Sequence, residues 1–243
     1  MYKLASRNEP ARGVSFRMYL PPAFAEHDPR VLHEFIDAHP LGILVTAAGG
    51  AAPVATHLPM VLDRDRGVLQ GHLARANPQA TSAAGEALVI FTGPDAYVHP
   101  GWYPSKAEHG RVVPTWNYVA VHASGPLRYM EDREWLARHL ERLTARHESH
   151  RERPWRIDDA PADYIERALG DIVGIELEVS RLEGKWKMSQ NRSAADITGV
   201  VAGLGVSPDD RDRAVAAIVE ARRPASKRLR ARGRVTGTPR DAR

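Results

Sequence analysis

The stretch VVPTWNYVAVHASGPLRYM, residues 112–130, decides the fold. Its β-branched and aromatic residues predict a strand over 112–121, which resumes over 124–129 past Gly125. The preceding residues 100–111 are rich in Gly, Pro and charged side chains, which predicts a loop. A strand of this length, interrupted by one glycine, is typical of an antiparallel sheet.

Further strands lie on both sides at the spacing of hairpins. Residues 53–62 alternate between apolar and polar, and the turn sequence DRDRG at 63–67 connects them to a partner strand at 68–73. Other short apolar segments are predicted as strands at 42–47, 88–91, 96–99 and 172–182. A break at Gly93-Pro94 separates 88–91 from 96–99.

Helices are predicted at the flanks of these strands. Asp28 as N-cap and Pro29 at the first helical position open a helix that runs up to Pro40. Ser193 and Ser207 are the predicted capping residues of two C-terminal helices. The remaining helices are predicted over 77–84, 132–147 and 162–169. This order, without regular βαβ units, predicts the α+β class: an antiparallel β-barrel with flanking helices and a C-terminal helical segment.

The composition excludes several kinds of chemistry. The chain has no cysteine, which rules out disulfides, thiolate catalysis and cysteine-ligated metal centres. No apolar run approaches the roughly 20 residues that span a bilayer, and no secretory signal opens the sequence. A cytoplasmic protein is therefore expected.

The basic residues are concentrated at the C-terminus. From Ala221 to Arg243 nine basic residues stand against one acid, so the rest of the chain carries a net charge of −4 within a total of +4. We expect 223–243 to be a disordered basic tail that is either incidental or a contact for polyanions such as DNA. Residues 1–17 are expected to be a disordered extension.

The segment GHLARANP, residues 71–78, leaves a strand and enters a helix. Free backbone N–H groups and the helix dipole make such a junction an anion site, to which Arg75 could add a bidentate phosphate donor. The alternative is an ordinary turn with a solvated Arg75.

Two other segments concentrate aromatic and polar side chains. WYPSK at 102–106 and VPTWNY at 113–118 suit a planar heteroaromatic ligand such as flavin, or else form an aromatic core cluster or a dimer interface. GKWKMSQNR at 184–192 places many donors where a strand ends and a helix begins, or is a solvated loop. We expect the three segments to converge on a single pocket.

Together these segments resemble the PaiB-type FMN-binding negative transcriptional regulators. GHLARANPQ, WYPSK with VPTWNY and VHASG, and KWKMSQNR occur in that family in this order, and the resemblance spans about 18–222. It implies the split-barrel FMN-binding fold related to pyridoxamine 5′-phosphate oxidase, in a homodimer with FMN at the subunit interface. The FMN-binding domain would cover 18–192, followed by C-terminal helices over 193–222.

The resemblance also implies roles for individual residues. Arg75, Asn77 and Lys106 would contact the phosphate, and Trp116 and Asn117 would lie near the ring or ribityl chain. The other residues expected to contact FMN are His72, Pro78, Tyr103, Ser105, Thr115, Lys187, Gln190, Asn191 and Arg192, of which the last four would close the site.

The family implies negative transcriptional regulation, with DNA contacted by the basic tail or the dimer surface. The 193–222 helices make no persuasive helix-turn-helix, since the second helix carries acids early. The alternative is an FMN-dependent oxidoreductase or flavin reductase, because oxidases share the barrel.

A haem-handling protein is a third hypothesis. His139, His147 and His150 fall roughly on one face of the predicted helix, where they could ligate haem or a metal. The preferred interpretation is that they are solvated positions on a charged helix. No histidine spacing of the HxxxH kind predicts a metal site elsewhere.

Overall fold

The computed structural model describes residues 17–47, 52–81 and 85–224. Nine strands are present in these ranges: β1 (Ala25–Glu26), β2 (Leu41–Thr46), β3 (Val54–Pro59), β4 (Val61–Asp63), β5 (Val68–Ala74), β6 (Glu86–Val98), β7 (Thr115–Met130), β8 (Ile172–Glu178) and β9 (Arg181–Lys187). The α-helices of the same ranges are α1 (Pro29–Ala38), α2 (Ser105–His109), α3 (Arg133–Glu148), α4 (Ala162–Gly170), α5 (Ala194–Gly205) and α6 (Asp210–Ala221).

The strands form two antiparallel halves that share β7. In the first half the order is β3-β2-β6-β7-β9-β1, and in the second it is β7-β8-β5-β4. The first part of β7 pairs with β6 and β9, whereas its last four residues, 127–130, pair with β8. The fold is therefore an α+β split β-barrel with flanking helices, which confirms the predicted class.

Gly125 marks the point where β7 passes from one half to the other. A Cβ at this residue would overlap the carbonyl oxygen of Glu178 and crowd the backbone nitrogen of Ser180. Glycine is required here because the backbone of the β8–β9 turn lies against β7. On either side, alternate residues of β7 point into the core, among them Val119, Val121 and Leu127.

Helix α1 begins as the sequence predicts. The side chain of Asp28 accepts a hydrogen bond from the backbone N–H of Arg30 at 2.9 Å, and Pro29 occupies the first turn. The helix buries its apolar face, including Phe35, whose ring centroid lies 5.3 Å from that of Trp186 on β9. This packing joins α1 to β9.

Helices α5 and α6 are part of the barrel's core. Apolar residues of both helices, such as Val200 and Val219, are fully buried in the same cluster as the strand residues. Ser193 caps α5, as predicted. The predicted cap of α6 is wrong: Asp209, not Ser207, is the N-cap and accepts the hydrogen bond from the backbone N–H of Arg211. Ser207 accepts a hydrogen bond from the backbone N–H of Asp209, which precedes the helix, and donates one to Asp212.

Two strand boundaries also differ from the prediction. β6 continues through Gly93-Pro94, where its register to β7 shifts between Thr92 and Asp95, because a bulge tolerates the missing donor of proline. The predicted strand 172–182 is two strands, β8 and β9, and β9 extends to Lys187, within the donor-rich segment 184–192.

The interpretation of His139 as a solvated position is wrong. His139 on α3 is fully buried against β5, and the ring of Trp135 stacks on it with 5.3 Å between the ring centroids. Gly174 on β8 makes this possible, since a Cβ there would overlap the Trp135 ring. His147 and His150 are exposed, so the three histidines do not form one ligand face. Within the described ranges no helix is both long and apolar enough to cross a membrane.

Candidate functional site

The second and third predicted segments meet where β7 begins and β9 ends. Tyr118 pairs with Lys187 across the two strands. The Nζ of Lys187 donates a hydrogen bond to Thr115 Oγ1 at 2.6 Å and another to the carbonyl of Trp116. The guanidinium of Arg192 lies 4.8 Å from the ring centroid of Tyr103. We call this group the β7–β9 site; its residues are Tyr103, Lys106, Thr115, Trp116, Asn117, Lys187 and Arg192.

The turn after β9 is held by its own side chains. Gln190 Oε1 accepts a hydrogen bond from the backbone N–H of Met188 at 2.7 Å, and its Nε2 donates to the carbonyl of Trp186 at 2.6 Å. Gln190 is therefore a structural residue of the turn, which differs from its expected role as a ligand contact. Asn191 next to it is exposed.

Asn117 and Ser189 form a buried pair across the site. Asn117 Nδ2 donates to Ser189 Oγ at 3.1 Å, and Ser189 Oγ donates to Asn117 Oδ1 at 3.2 Å. Both residues are almost completely buried. The only non-glycine residue with positive φ in the described ranges is Ser189, at 62°.

The β7–β9 site is rich in hydrogen-bond donors that lack acceptors. The hydroxyl of Tyr103, which is 2% exposed, is buried without a hydrogen-bond partner. The Arg192 guanidinium lies close enough to the Tyr103 hydroxyl to offset part of the rise in its pKa that burial causes, and no carboxylate of the described ranges lies within ion-pair distance of it; the side chain of Lys106 is exposed. Such a set of donors complements a ligand that carries anionic and acceptor oxygens.

The charges of the site are only partly compensated. The nearby carboxylate of Asp196 accepts hydrogen bonds from the backbone N–H of Ser105 at 3.1 Å and from its hydroxyl at 3.0 Å. Ser105 therefore anchors α2 to α5 through Asp196, and its expected contact with FMN stays a prediction. Burial, followed by the proximity of Lys185 and Arg192, lowers the pKa of Lys187. Burial raises the pKa of Tyr103, so its hydroxyl stays a proton donor at neutral pH.

An aromatic surface borders these donors. Trp116 is 53% exposed and Tyr97 is 45% exposed, and their ring centroids lie 6.1 Å apart at 72°. Large exposed aromatic faces beside cations suit a planar ligand with acceptor atoms at its edge. Tyr97 was not among the predicted site residues; the antiparallel register of β6 and β7 places it opposite Trp116.

The first predicted segment lies elsewhere in the protomer. His72 faces α3, with its Nδ1 3.2 Å from Nε2 of His139. Arg75 donates from Nε to the carbonyl of Gly170 at 3.0 Å and from Nη2 to that of Ile172 at 2.9 Å, and it pairs with Glu131 at 3.1 Å. Arg75 on the β5 side is thus held to β8 by its hydrogen bonds and is not a free phosphate donor within the protomer.

Asn77 and Pro78 stand beside the edge strand β3. Asn77 Nδ2 donates to Thr56 Oγ1 at 3.1 Å, and Pro78 begins a 3₁₀ turn, Pro78–Thr81. Gln79 of this turn binds Thr46, which pairs with Ala87 on β6. Ala87 and Tyr97 are ten residues apart along β6, or about 30 Å at the usual rise of a strand. The expected convergence of all three segments therefore does not occur within one protomer.

No three His, Asp or Glu side chains in the described ranges are grouped so that they could hold a metal ion. His139 is buried against His72, whereas His147 on α3 and His150 just beyond the helix are exposed. The geometry therefore gives no support to a haem site on this helix.

Comparison with known proteins gives a family match over most of the chain. Residues 18–181 match the family model FMN_bind_2, described as "Putative FMN-binding domain". Protease synthase and sporulation protein PAI 2 of Bacillus subtilis is 33% identical, over 84% of this chain and 97% of that protein. The uncharacterized protein AN0679 of Emericella nidulans is 35% identical with the same coverage of both chains.

Solved structures show the same fold at low sequence identity. The FAD and haem binding protein of Mycobacterium smegmatis has a TM-score of 0.53 and 17% identity, over 72% of this chain and 78% of that one. The conserved hypothetical protein Rv2991 of Mycobacterium tuberculosis has a TM-score of 0.51 and 12% identity, over 72% and 93%.

Proposed function

The chain belongs to the FMN_bind_2 family of FMN-binding domains, and from this premise we propose that its β7–β9 site binds FMN. The observation that carries the proposal is the buried Tyr103 hydroxyl, which has no protein acceptor, beside an Arg192 guanidinium that has no carboxylate partner in the described ranges. A group of unsatisfied donors is costly in an interior unless a ligand or water completes it. FMN offers phosphate, carbonyl and ring-nitrogen acceptors, which match this donor set.

Different residues of the site would contact different parts of FMN. Lys106, Lys187 and Arg192 supply positive charge and hydrogen bonds to acceptor atoms. Trp116 and Tyr97 supply flat apolar surface for a ring system. When bound, FMN supplies the capacity to accept and release electrons, while the protein positions it and tunes it with the charges of the site.

We propose further that the site is completed by a second copy of the chain. In one protomer the aromatic surface of Trp116 and Tyr97 remains open, and the Asn77 segment is remote from it. A two-fold homodimer can bring the Asn77 segment of one protomer to the β7–β9 site of the other. This arrangement supports a role for Asn77 without any change in the fold of the protomer.

The experiment that tests FMN binding is a titration of the purified protein followed by flavin fluorescence. Arg192→Gln and Lys187→Met should each weaken FMN binding about 10- to 100-fold, since a charge-assisted hydrogen bond contributes roughly 1.5–3 kcal/mol. Arg138→Gln is the matched control, because Arg138 is an exposed residue of α3. Absence of binding by the wild type, or equal affinity in all variants, would contradict the proposal.

For its biological role we propose transcriptional regulation by the flavin-bound dimer. The similarity to a protein named for protease synthesis and sporulation supports this role. Helix α6 does not offer a free basic face for DNA, since Arg211 and Arg213 pair with Asp209 and Asp210. DNA contact would come from the basic tail, of which residues 225–243 lie outside the described ranges.

The alternative role is that of a flavin-dependent oxidoreductase, which the open face of Trp116 favours because a reductant could reach a flavin there. A gel-shift assay with promoter fragments and competitor DNA, using the full chain and a chain that ends at Pro224, separates the two roles. A specific shift that needs the tail supports regulation. Turnover of NADH with bleaching of the flavin, and no specific shift, supports the enzyme.

A further inference from the structure

We infer that the Asn117–Ser189 pair is a lock that positions Lys187 and Arg192 for FMN. The inference rests on the proposed function of the β7–β9 site. It assigns Asn117 a positioning role that acts through Ser189, in place of the direct contact with FMN that the family resemblance implies.

The first ground is the backbone of Ser189. Its φ of 62° lies in the left-handed region, which residues with a Cβ adopt at a cost. Such a conformation persists only where the surroundings hold it, and it is common at functional sites. Here the two hydrogen bonds to the Asn117 amide hold it, inside a region where water does not compete.

The second ground is the place of the lock between the two cations. Two residues before Ser189, Lys187 donates to Thr115 Oγ1 and to the Trp116 carbonyl, both next to Asn117 on β7. Three residues after it, the backbone N–H of Arg192 donates to the Ser189 carbonyl at 2.9 Å. A change in the backbone at Ser189 therefore moves Arg192 relative to Lys187.

The third ground is that the two buried side chains hydrogen-bond to each other. Asn117 is 1% exposed, and both polar atoms of its side chain bind Ser189 Oγ. Ser189 is 4% exposed, and its hydroxyl serves as both donor and acceptor within the pair. Both side chains are buried and bonded to each other, so we infer that the pair affects a ligand through the turn that it holds.

The test compares two substitutions that separate backbone strain from the lock. Ser189→Ala removes both hydrogen bonds and keeps the strained φ, whereas Ser189→Gly removes the bonds and relieves the strain. Ser180→Ala is the matched control, because Ser180 donates one hydrogen bond to the Ser124 carbonyl in the β8–β9 turn. FMN affinity, melting temperature and hydrogen exchange of residues 186–192 are measured for each full-length variant.

We expect both Ser189 variants to bind FMN at least 10-fold more weakly than the wild type. We also expect Ser189→Gly to melt higher than Ser189→Ala, so that affinity and melting temperature diverge. In both, residues 186–192 should exchange faster without ligand, whereas Ser180→Ala should bind FMN like the wild type.

The lock is overturned if Ser189→Gly binds FMN as tightly as the wild type, or if its residues 186–192 exchange at the wild-type rate. It is also overturned if the loss of affinity follows the loss of melting temperature across both variants, as a purely structural role requires. A wild type that binds no FMN refutes the proposed function instead, and the exchange rates then decide the lock independently.

Discussion

At the scale of single residues, the clearest departure from sequence pattern is His139. A charged helix with several histidines predicts solvated side chains, yet His139 lies under Trp135 and against His72. Periodicity reports which residues share a helix face but not what that face meets. The missing information was the space above Gly174, which depends on a strand 35 residues away in the chain.

The environment of His139 predicts a pH dependence of stability. Burial, then the proximity of His72 and Arg142, lowers the pKa of His139 from 6.5 to about 4. In the unfolded chain the imidazole takes up its proton near pH 6.5, so protons favour unfolding below that pH. The free energy of unfolding should fall by up to about 3 kcal/mol between pH 6.5 and about 4, and this contribution should be constant below that.

His139→Gln tests this assignment, because glutamine can bond to His72 and does not titrate. Urea unfolding at several pH values should show a flatter acid limb in His139→Gln than in the wild type. His147→Gln, an exposed histidine of the same helix, should retain the wild-type limb. An identical limb in His139→Gln would show that other groups cause the acid sensitivity.

At the scale of elements, the sequence predicted helices better than the limits of strands. The caps at Asp28 and Ser193 were correct because capping chemistry is local. The extension of β9 to Lys187 was missed, since its pattern is set by pairing with β7 and not by the sequence of the segment itself. The bonds that Ser105, Arg75 and Gln190 make within the protein were not visible in the sequence of the donor-rich segments.

Helix α5 provides an element-scale prediction through its contact with Trp102. A Cβ at Gly203 would overlap the indole ring of Trp102, which precedes Tyr103 of the β7–β9 site. Gly203→Ala should therefore destabilise the protein by roughly 1–3 kcal/mol and weaken FMN binding. Gly205→Ala in the same helix meets no atom within 4 Å and should leave both unchanged or slightly improve stability.

Thermal unfolding and an FMN titration of the two glycine variants provide the measurement. Because both substitutions add one methyl group to α5, helix propensity alone would make them alike. Equal behaviour of the two would mean that the packing of α5 on Trp102 does not support the site.

At the scale of the whole molecule, the separation of the predicted segments leads to a test of the dimer. Sequence order alone suggested one pocket, because it does not show how far β6 and β7 carry their two ends apart. If the FMN site is shared between protomers, Arg192→Gln and Asn77→Ala homodimers should both bind FMN weakly. A mixed dimer should recover one intact site in two, since both substitutions then fall on the same site and spare the other.

The mixed dimer is made by co-expression with two different affinity tags, and FMN is quantified per dimer after size-exclusion chromatography. Recovery of about half of the wild-type FMN content is the expected result. Failure of the mixture to recover binding, or a wild type that elutes as a monomer while binding FMN, would place the whole site in one protomer.

The length of strand β7 determines which of its side chains face the core in each half of the barrel. The strand contributes to both halves of the barrel, with Asn117 near its start, Gly125 at the crossing and Leu127 beyond it. Successive side chains of a strand point to opposite faces of the sheet. Removing a single residue between Asn117 and Gly125 would therefore move the core-facing side chains of one half of β7 to the outer face. The number of residues between positions 117 and 125 is therefore constrained. Family members of different length should differ in the connections around β7 and keep this number unchanged.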